Sequence, residues 1–511
     1  MCPVLTNPKL DISSVSGKRI VITAHELEST EHRGISAYTK SLVKVLSDNG
    51  CEVWLLTEFF PGKQSKKLKK INSDFIYHSY LLEFLARGYK FETTLQNTLF
   101  RFLPLNIIFK LRTNIRHYIL SVRLRFYPRR NLLYIKNLQN NSPYFKLKRL
   151  NYLTHVKGFI CARRIYYSSK IRSILGFTSP VKIDLKGFDA YISTSPLNIR
   201  PINVDTYIQS IHDLIPLEYD PKSFPGKVFS IKLLESLKAN RIFISNTTKK
   251  KFKEVIKYNT TENRSKTCES VVLQVPTLDI DKNKDYNYYY PHYSTQYQSN
   301  YKYELKPLKY ILFNASVDPR KNLSFLIESY IDSMIHEKDI KLVIVGKLNK
   351  NSESEKSISL INELNANYIK RQYKNKIITT GYIDDEEKTI LYLNSLAMVN
   401  PSLIEGLGLP VLDSACLGLK SIVSDCDAHK EISRLYDFSD YLVLEDLLYK
   451  QNWINSLISL VEQSRISSIA EEDSRLPAIQ KTIKSRIDRY LSYKEIISNN
   501  CLKSISSLFN T

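Results

Sequence analysis

The 511-residue sequence has no run of about 18 apolar residues, the length a membrane-spanning helix needs. Its first residues, MCPVLTNPKLDISS, lack the charged start and apolar core of a secretory signal. Seven cysteines are scattered along the chain, and no pair has the CxxC spacing. That excludes a disulfide framework and a zinc or thiol-redox motif, so a reducing, cytoplasmic setting is expected. There is no internal repeat at solenoid periods. What one segment lacks most is acid. Between Pro61 and Pro180 there are 24 Lys and Arg against three acids, Asp74, Glu83 and Glu92. The remainder has 50 bases and 48 acids, so almost the whole net charge of +23 belongs to that segment. No RNA- or DNA-binding motif accompanies it, which disfavours nucleic acid as a partner.

What is present is a globular composition, 43% hydrophobic and 24% charged. The length, at about 150 residues per domain, suggests two or three domains. A strand pattern, Lys18-Arg-Ile-Val-Ile-Thr-Ala, ends at His25. Gly34 then opens a helical pattern with Ile35, Tyr38, Leu42, Val45 and Leu46 at helical spacing, and Glu52–Thr57 reads as the next strand. Strand, glycine turn, helix, strand begins a doubly wound α/β sheet. Further buried strands are expected at Phe188–Ser193, Thr206–Ile211 and Arg241–Ser245, with a helix over Gly226–Asn240. A Tyr/Asn/Lys stretch without apolar period, 281–303, reads as an interdomain linker. A second alternation follows, with strands at Tyr310–Phe313, Lys341–Val345, Lys376–Thr380, Ala397–Asn400 and Ser421–Ser424. Helices are expected at Leu323–Met334 and Asp384–Leu393. The pattern predicts two Rossmann-like domains facing across a cleft.

Ligands of such sheets bind at the carboxyl ends of the strands, so the residues that follow each strand are the candidates. After Tyr310–Phe313 comes Asp318-Pro-Arg-Lys-Asn322. There Arg320 and Lys321 beside a helix N-terminus form an anion site suited to a diphosphate, or else a solvated turn. After Ala397–Asn400 comes Pro401-Ser-Leu-Ile-Glu-Gly-Leu-Gly-Leu-Pro-Val-Leu-Asp413. Its Glu405 can accept hydrogen bonds from sugar hydroxyls, and the amides of Gly406, Leu407, Gly408 and Leu409 can hold phosphate or sugar oxygens. Asp413 falls about two helical turns later, near the same face. The alternative is a helix start whose glycines only permit close packing. In the first half, His212 and Asp213 follow Thr206–Ile211, as a cleft histidine or a satisfied structural one.

Four strings, IHDLIP (211–216), SVDPRKNLSFLIESY (316–330), KLVIVGK (341–347) and TTGYIDD…KSIVSD (379–425), resemble glycosyltransferase family 4, the group 1 glycosyltransferases of GT-B fold. The match is nearly continuous from about Tyr310 to Glu431. In the first half it is confined to Lys18–Thr57 and Asp189–Thr248, and Phe59–Lys186 matches nothing. The resemblance implies an α/β GT-B fold and transfer of a sugar from a nucleotide-diphosphate donor to a saccharide or lipid-linked acceptor. The reaction would be retaining, without metal or cofactor, in surface polysaccharide or glycolipid synthesis. Lys321 would neutralise the diphosphate, Glu405 bind the transferred sugar, Asp413 hold the ribose, and His212 reach the reacting centre; the Gly34 loop would approach phosphate or acceptor.

Three positions depart from the family pattern. Asp413 stands for a glutamate, and Ser316 for an arginine that Arg320 would replace. A glycine pair is reduced to Arg33-Gly34-Ile35-Ser36. The implied organisation is an N-terminal domain over 1–280, with a basic, helical insertion at 61–180, the linker at 281–303, and a donor-binding domain over 304–480. A C-terminal helix over 481–511 returns to the N-terminal domain. The insertion interleaves cations with aromatic and aliphatic residues, as in Phe100–Arg112 and Ile119–Tyr127. That fits either a surface-lying element on an anionic membrane or a solvated helical insertion. Alternatives to the transferase are a catalytically silent binding subunit and a nucleotide-sugar isomerase on the same architecture.

Overall fold

The computed structural model describes residues 15–29, 32, 34–59, 73–88, 126–127, 131–134, 147–218, 224–257, 267–284, 286, 292–295, 298–346, 352–367, 376–463 and 472–509. Contacts divide the chain into two compact units. One comprises Met1–Ile244, Thr248–Leu273 and Ser498–Thr511; the other comprises Ser245–Thr247 and Gln274–Ile497.

In the first unit the strands are β1 (Arg19–Thr23), β2 (Glu52–Thr57), β3 (Phe126–Tyr127), β4 (Asn131–Tyr134), β5 (Gly158–Cys161), β6 (Val181–Asp184), β7 (Ala190–Ser193), β8 (Ile199–Ile202), β9 (Thr206–Ile211), β10 (Asn240–Phe243) and β11 (Glu269–Val271). The main sheet has the order β11-β10-β9-β7-β1-β2-β5-β4, and β3, β6 and β8 form a small parallel sheet. All pairs of the main sheet are parallel except β4 with β5. Parallel strands are covered on both faces, which is why Ile20–Ile22 and Trp54–Leu56 are unbroken apolar runs, fully buried. The helix Gly34–Asp48 buries Tyr38, Leu42, Val45 and Leu46, as its spacing predicts.

The expectation for 61–180 needs correction where the structure describes it. Besides helices at Ser73–Arg87 and Ile165–Ile174, the segment contains β4 and β5, and β5 lies beside β2 in register Trp54↔Gly158. Part of it therefore belongs to the main sheet, and the described residues are not all helical. Gly158-Phe-Ile-Cys161 is a four-residue run flanked by Lys157 and Arg163, too short to stand out against its charge. Most of Phe100–Arg112 and Ile119–Tyr127 lies outside the described residues.

In the second unit, the segment expected as a bare linker carries an antiparallel hairpin, β12 (His292–Thr295) and β13 (Gln298–Glu304), in register His292↔Glu304. The sequence shows no apolar period there, so polarity hid the strands. The main sheet has β14 (Tyr310–Asn314), β15 (Lys341–Val345), β16 (Ile377–Gly381), β17 (Ala397–Asn400), β18 (Ser421–Ser424) and β19 (Leu442–Glu445). Its order, β16-β15-β14-β17-β18-β19, is all parallel. The chain builds outward from β14 in one direction, then returns to its other side at β17. That reversal makes the β14/β17 boundary a topological switch point, where open α/β sheets bind ligands. Ile311, Phe313, Leu326, Tyr330, Ile344 and Trp453 are among the residues of its core.

The last helix, Glu472–Ser506, begins earlier than expected. Within the second unit Arg486 fastens it by donating to the carbonyls of Leu393 (2.6 Å) and Ser395 (2.8 Å). Burial without a carboxylate partner lowers the guanidinium to about 10.

Candidate functional site

Two loops meet at the switch point of the second unit. The first follows β14. Gly346, just after β15, has φ +141°, and a Cβ there would lie 1.8 Å from the Ala315 carbonyl oxygen. Only glycine lets the β14 loop lie against the end of β15. Pro319–Lys321 then forms a 3₁₀ turn, and Asn322, left-handed at φ 53°, leads into the helix Leu323–Asp332. Asn is among the few non-glycine residues that tolerate this conformation. The expected anion site at that helix start is partly taken, because Glu353 accepts from the Ser324 amide at 2.6 Å.

The second loop follows β17. Ser402 donates its hydroxyl toward Asn400 Oδ1 and toward Glu405 Oε1 (2.9 Å), which holds the turn that presents Glu405. The Leu403 amide donates to the Arg320 carbonyl at 2.8 Å and ties the two loops together. Gly408, at φ +87°, is the left-handed cap of the helix Leu409–Leu417, with Pro410 in its first turn.

Between the loops lies a buried ion cluster. Lys321 and Glu405 are 7% and 8% exposed, and Lys321 Nζ donates to Glu405 Oε1. Arg320 Nη1 stands 3.3 Å from Glu405 Oε2, and its Nε stands 3.3 Å from Asp318. Burial pushes the Glu405 carboxyl up, but Lys321 foremost, then Arg320 and His429, outweigh it and bring it down to about 2. Two cations stand against the carboxylates of Glu405 and Asp318, so the cluster is balanced in charge, and its cations are a place for an anion with hydroxyl groups beside it.

Asp413, expected at the ribose, is engaged within the unit. It is 2% exposed, and both its oxygens are engaged inside the unit. Oδ1 accepts from the Thr277 amide (2.6 Å) and the Tyr490 hydroxyl (3.1 Å), and Oδ2 from the Thr277 hydroxyl (2.6 Å). Burial raises its pKa against Lys388, Thr277 and Tyr490. The carboxylate that was expected to hold a ribose fastens the Thr277 segment and the last helix to the helix Leu409–Leu417.

In the first unit the sheet reverses between β1 and β7, and His212 follows β9. Its Nε2 donates to the Thr194 carbonyl at 2.8 Å, and its ring meets Tyr38 edge-on at 4.8 Å. A carbonyl only accepts, so Nε2 carries the proton and Nδ1 is the nitrogen that titrates. Burial lowers the His212 pKa against the Thr194 carbonyl, Asp213 and Glu26. Sequence reasoning missed its neighbour Glu26, whose Oε1 is 3.0 Å from His25 Nδ1. Burial raises that carboxyl, but His25 first, then His212 and Lys232, bring it below the ordinary value. Gly34 is the exposed first residue of its helix, and Arg33 before it lies outside the described residues. Ser402, Ser424 and His429 also escaped the sequence reading, because a serine or histidine after a strand has no periodic signature. Among the described residues no group of three or more His, Cys, Asp and Glu could hold a metal ion.

Residues 300–465 match the family model described as glycosyl transferases group 1. No curated protein matches the chain in sequence. The sucrose-phosphate synthase of Thermosynechococcus elongatus shares its fold, with 12% identity, a TM-score of 0.50, and coverage of 96% of this chain and 99% of that one. Two others were compared: WaaG, a glycosyltransferase involved in lipopolysaccharide biosynthesis (8% identity, TM-score 0.46, 94% and 98% covered), and Anabaena HepE in complex with UDP and glucose (10%, 0.41, 94% and 100%). At such identities the likeness is one of fold: two parallel-sheet α/β units of the GT-B class, as expected from the sequence.

Proposed function

We propose that the protein, whose residues 300–465 match the model for glycosyl transferases group 1, transfers a sugar from a nucleoside-diphosphate donor, at the Lys321–Glu405 cluster, to a saccharide or lipid-linked acceptor. The observation that carries this reading is a buried Lys321–Glu405 pair with Arg320 beside it at the switch point of the sheet, next to a left-handed glycine that opens a helix. Bond breaking at the anomeric carbon places negative charge on the departing diphosphate. Lys321 and Arg320, held beside Glu405, supply the positive charge that stabilises it. As they turn toward the diphosphate, Glu405 is released in part to accept from sugar hydroxyls. Glu405 itself, bound to two cations, is a poor nucleophile, which suits a retaining reaction in which the leaving phosphate assists the incoming hydroxyl.

His212 enters this reading as a neutral ring, with Nδ1 as the nitrogen left to take a proton. Asp413 no longer does, and its burial is what favours the second reading, a silent nucleotide-binding subunit. Donor hydrolysis without acceptor separates the two. Turnover that vanishes in Glu405→Ala and Lys321→Ala, with folding intact, supports the transferase; turnover retained in both removes this site from the reaction.

The basic segment belongs to the same proposal as a contact for an anionic membrane or acceptor, with each well-placed cation worth about 1 kcal/mol. Among the described residues no helix is long and apolar enough to cross a membrane. Flotation with anionic liposomes at low and high salt tests the contact, and binding that ignores salt or never occurs overturns it.

A further inference from the structure

Beneath the Glu405 loop lies a histidine that the reading above does not use. His429 is fully buried, in the short helix Asp427–Ser433 that follows β18. Its Nδ1 lies 2.9 Å from the Ser424 carbonyl and 3.1 Å from the Ser424 hydroxyl. The carbonyl can only accept, and the Ser424 hydroxyl gives its one proton to the Ser402 carbonyl at 2.5 Å. Nδ1 is therefore the donor in every protonation state, and any second proton goes to Nε2.

Nε2 is buried and has no hydrogen-bond partner. Buried polar atoms without partners are rare, and each asks for an explanation. This one stands against Gly408: a Cβ built there would lie 3.1 Å from both Nε2 and Cδ2 of the ring. The unmatched nitrogen thus sits against the left-handed residue that opens the helix Leu409–Leu417. Ser402 links the two groups, since it bonds Glu405 through its hydroxyl and Ser424 through its carbonyl.

We propose that His429 is a third side-chain donor of the donor site: Nδ1–H holds the ring to Ser424, and Nε2–H donates to an anionic oxygen of a diphosphate drawn onto the Gly406–Leu409 loop. The titratable groups facing the ring are Cys426, at the start of its own helix, and Glu405, from the loop after β17. Burial disfavours the charged ring, but Cys426 and then Glu405 outweigh it and raise the pKa above the ordinary value, which favours a proton on Nε2. The proposal rests on the donor-site reading and adds a residue that the family resemblance does not name.

Two substitutions divide the ring's two nitrogens. The amide of Asn reaches the Nδ1 position and keeps the Ser424 bond; the longer Gln reaches Nε2. Binding of UDP, GDP and ADP is measured by calorimetry on the full chain, with melting temperatures taken alongside. His429→Gln is expected to bind the preferred nucleotide within about threefold of wild type, whereas His429→Asn loses about tenfold or more. As pH rises from the ordinary 6.5 through the raised pKa of the ring, the wild-type affinity should fall relative to that of His429→Gln, whose amide does not titrate. This second comparison stands on the Gln variant alone if the Asn variant does not fold. Equal affinities in the two variants, or parallel pH curves for Gln and wild type, overturn the role of Nε2 and leave the donor site standing. Failure of the wild type to bind any of the three nucleotides overturns the donor site itself.

Discussion

The two units reverse their sheets in the same way, yet the strand ends there are chemically different. In the second unit the loops after β14 and β17 bring together Lys321, Arg320 and Glu405, whose carboxyl the two cations hold down at about 2. In the first unit the loops after β1 and β9 carry His25, Glu26 and His212, of which burial keeps the last neutral. One end is built to hold fixed charge, the other to hold protons that can move. Topology supplies the crevice in both; the side chains decide what it can do.

The largest test of this contrast is Lys321→Ala. It leaves Glu405 buried with only Arg320 at 3.3 Å. The expected loss is about 3 kcal/mol of stability by denaturant titration, with donor turnover down about a thousandfold. The pair Lys321→Met with Glu405→Gln should regain most of the stability and none of the turnover; recovery of turnover would show that fixed charge is not what the site supplies.

Asp413→Ala comes next. It strips the Thr277 amide and the Tyr490 hydroxyl of their acceptor, with an expected cost of about 2 kcal/mol and a UDP dissociation constant within about threefold of wild type. A nucleotide affinity that collapses while the melting temperature holds would return Asp413 to the ribose.

The first unit is sharpened by pH. Because the His212 pKa lies below 6.5, its neutral form is favoured in the fold; that stabilisation is complete above 6.5 and is lost as pH falls from there through the lower, folded value. The acid limb of turnover should therefore lie below 6.5 and vanish in His212→Gln, and a limb above 6.5 would contradict the buried neutral ring. Glu405 gives the smallest effect near neutrality. Its contribution to stability is present above the ordinary 4.5 and lost only as pH falls toward about 2, so the wild-type stability curve should drop less between about pH 7 and 5 than between 4.5 and 2.

Strands β1, β2, β7, β9, β10 and β14 to β18, and the two loops of the second unit, were legible in the sequence because their signals are local. Apolar runs of four to six residues, a Pro-Arg-Lys turn and a Gly-Leu-Gly string lie within one window each. Asp413 was misread for the opposite reason: its partners Thr277 and Tyr490 lie 136 and 77 positions away, and nothing at Asp413 announces them. The same holds for β5, whose burial depends on pairing with β2 across about a hundred residues, and for His429, which reaches the site through two serines. The hairpin at 292–304 escaped because hydropathy, not pairing, was the signal sought.

Gly346 carries a consequence at the level of the gene. Any single-base missense change in a glycine codon introduces a residue with a Cβ, and at this position the Cβ meets the Ala315 carbonyl oxygen at 1.8 Å. In a randomly mutagenised library selected for donor turnover, this codon should come back with synonymous changes alone.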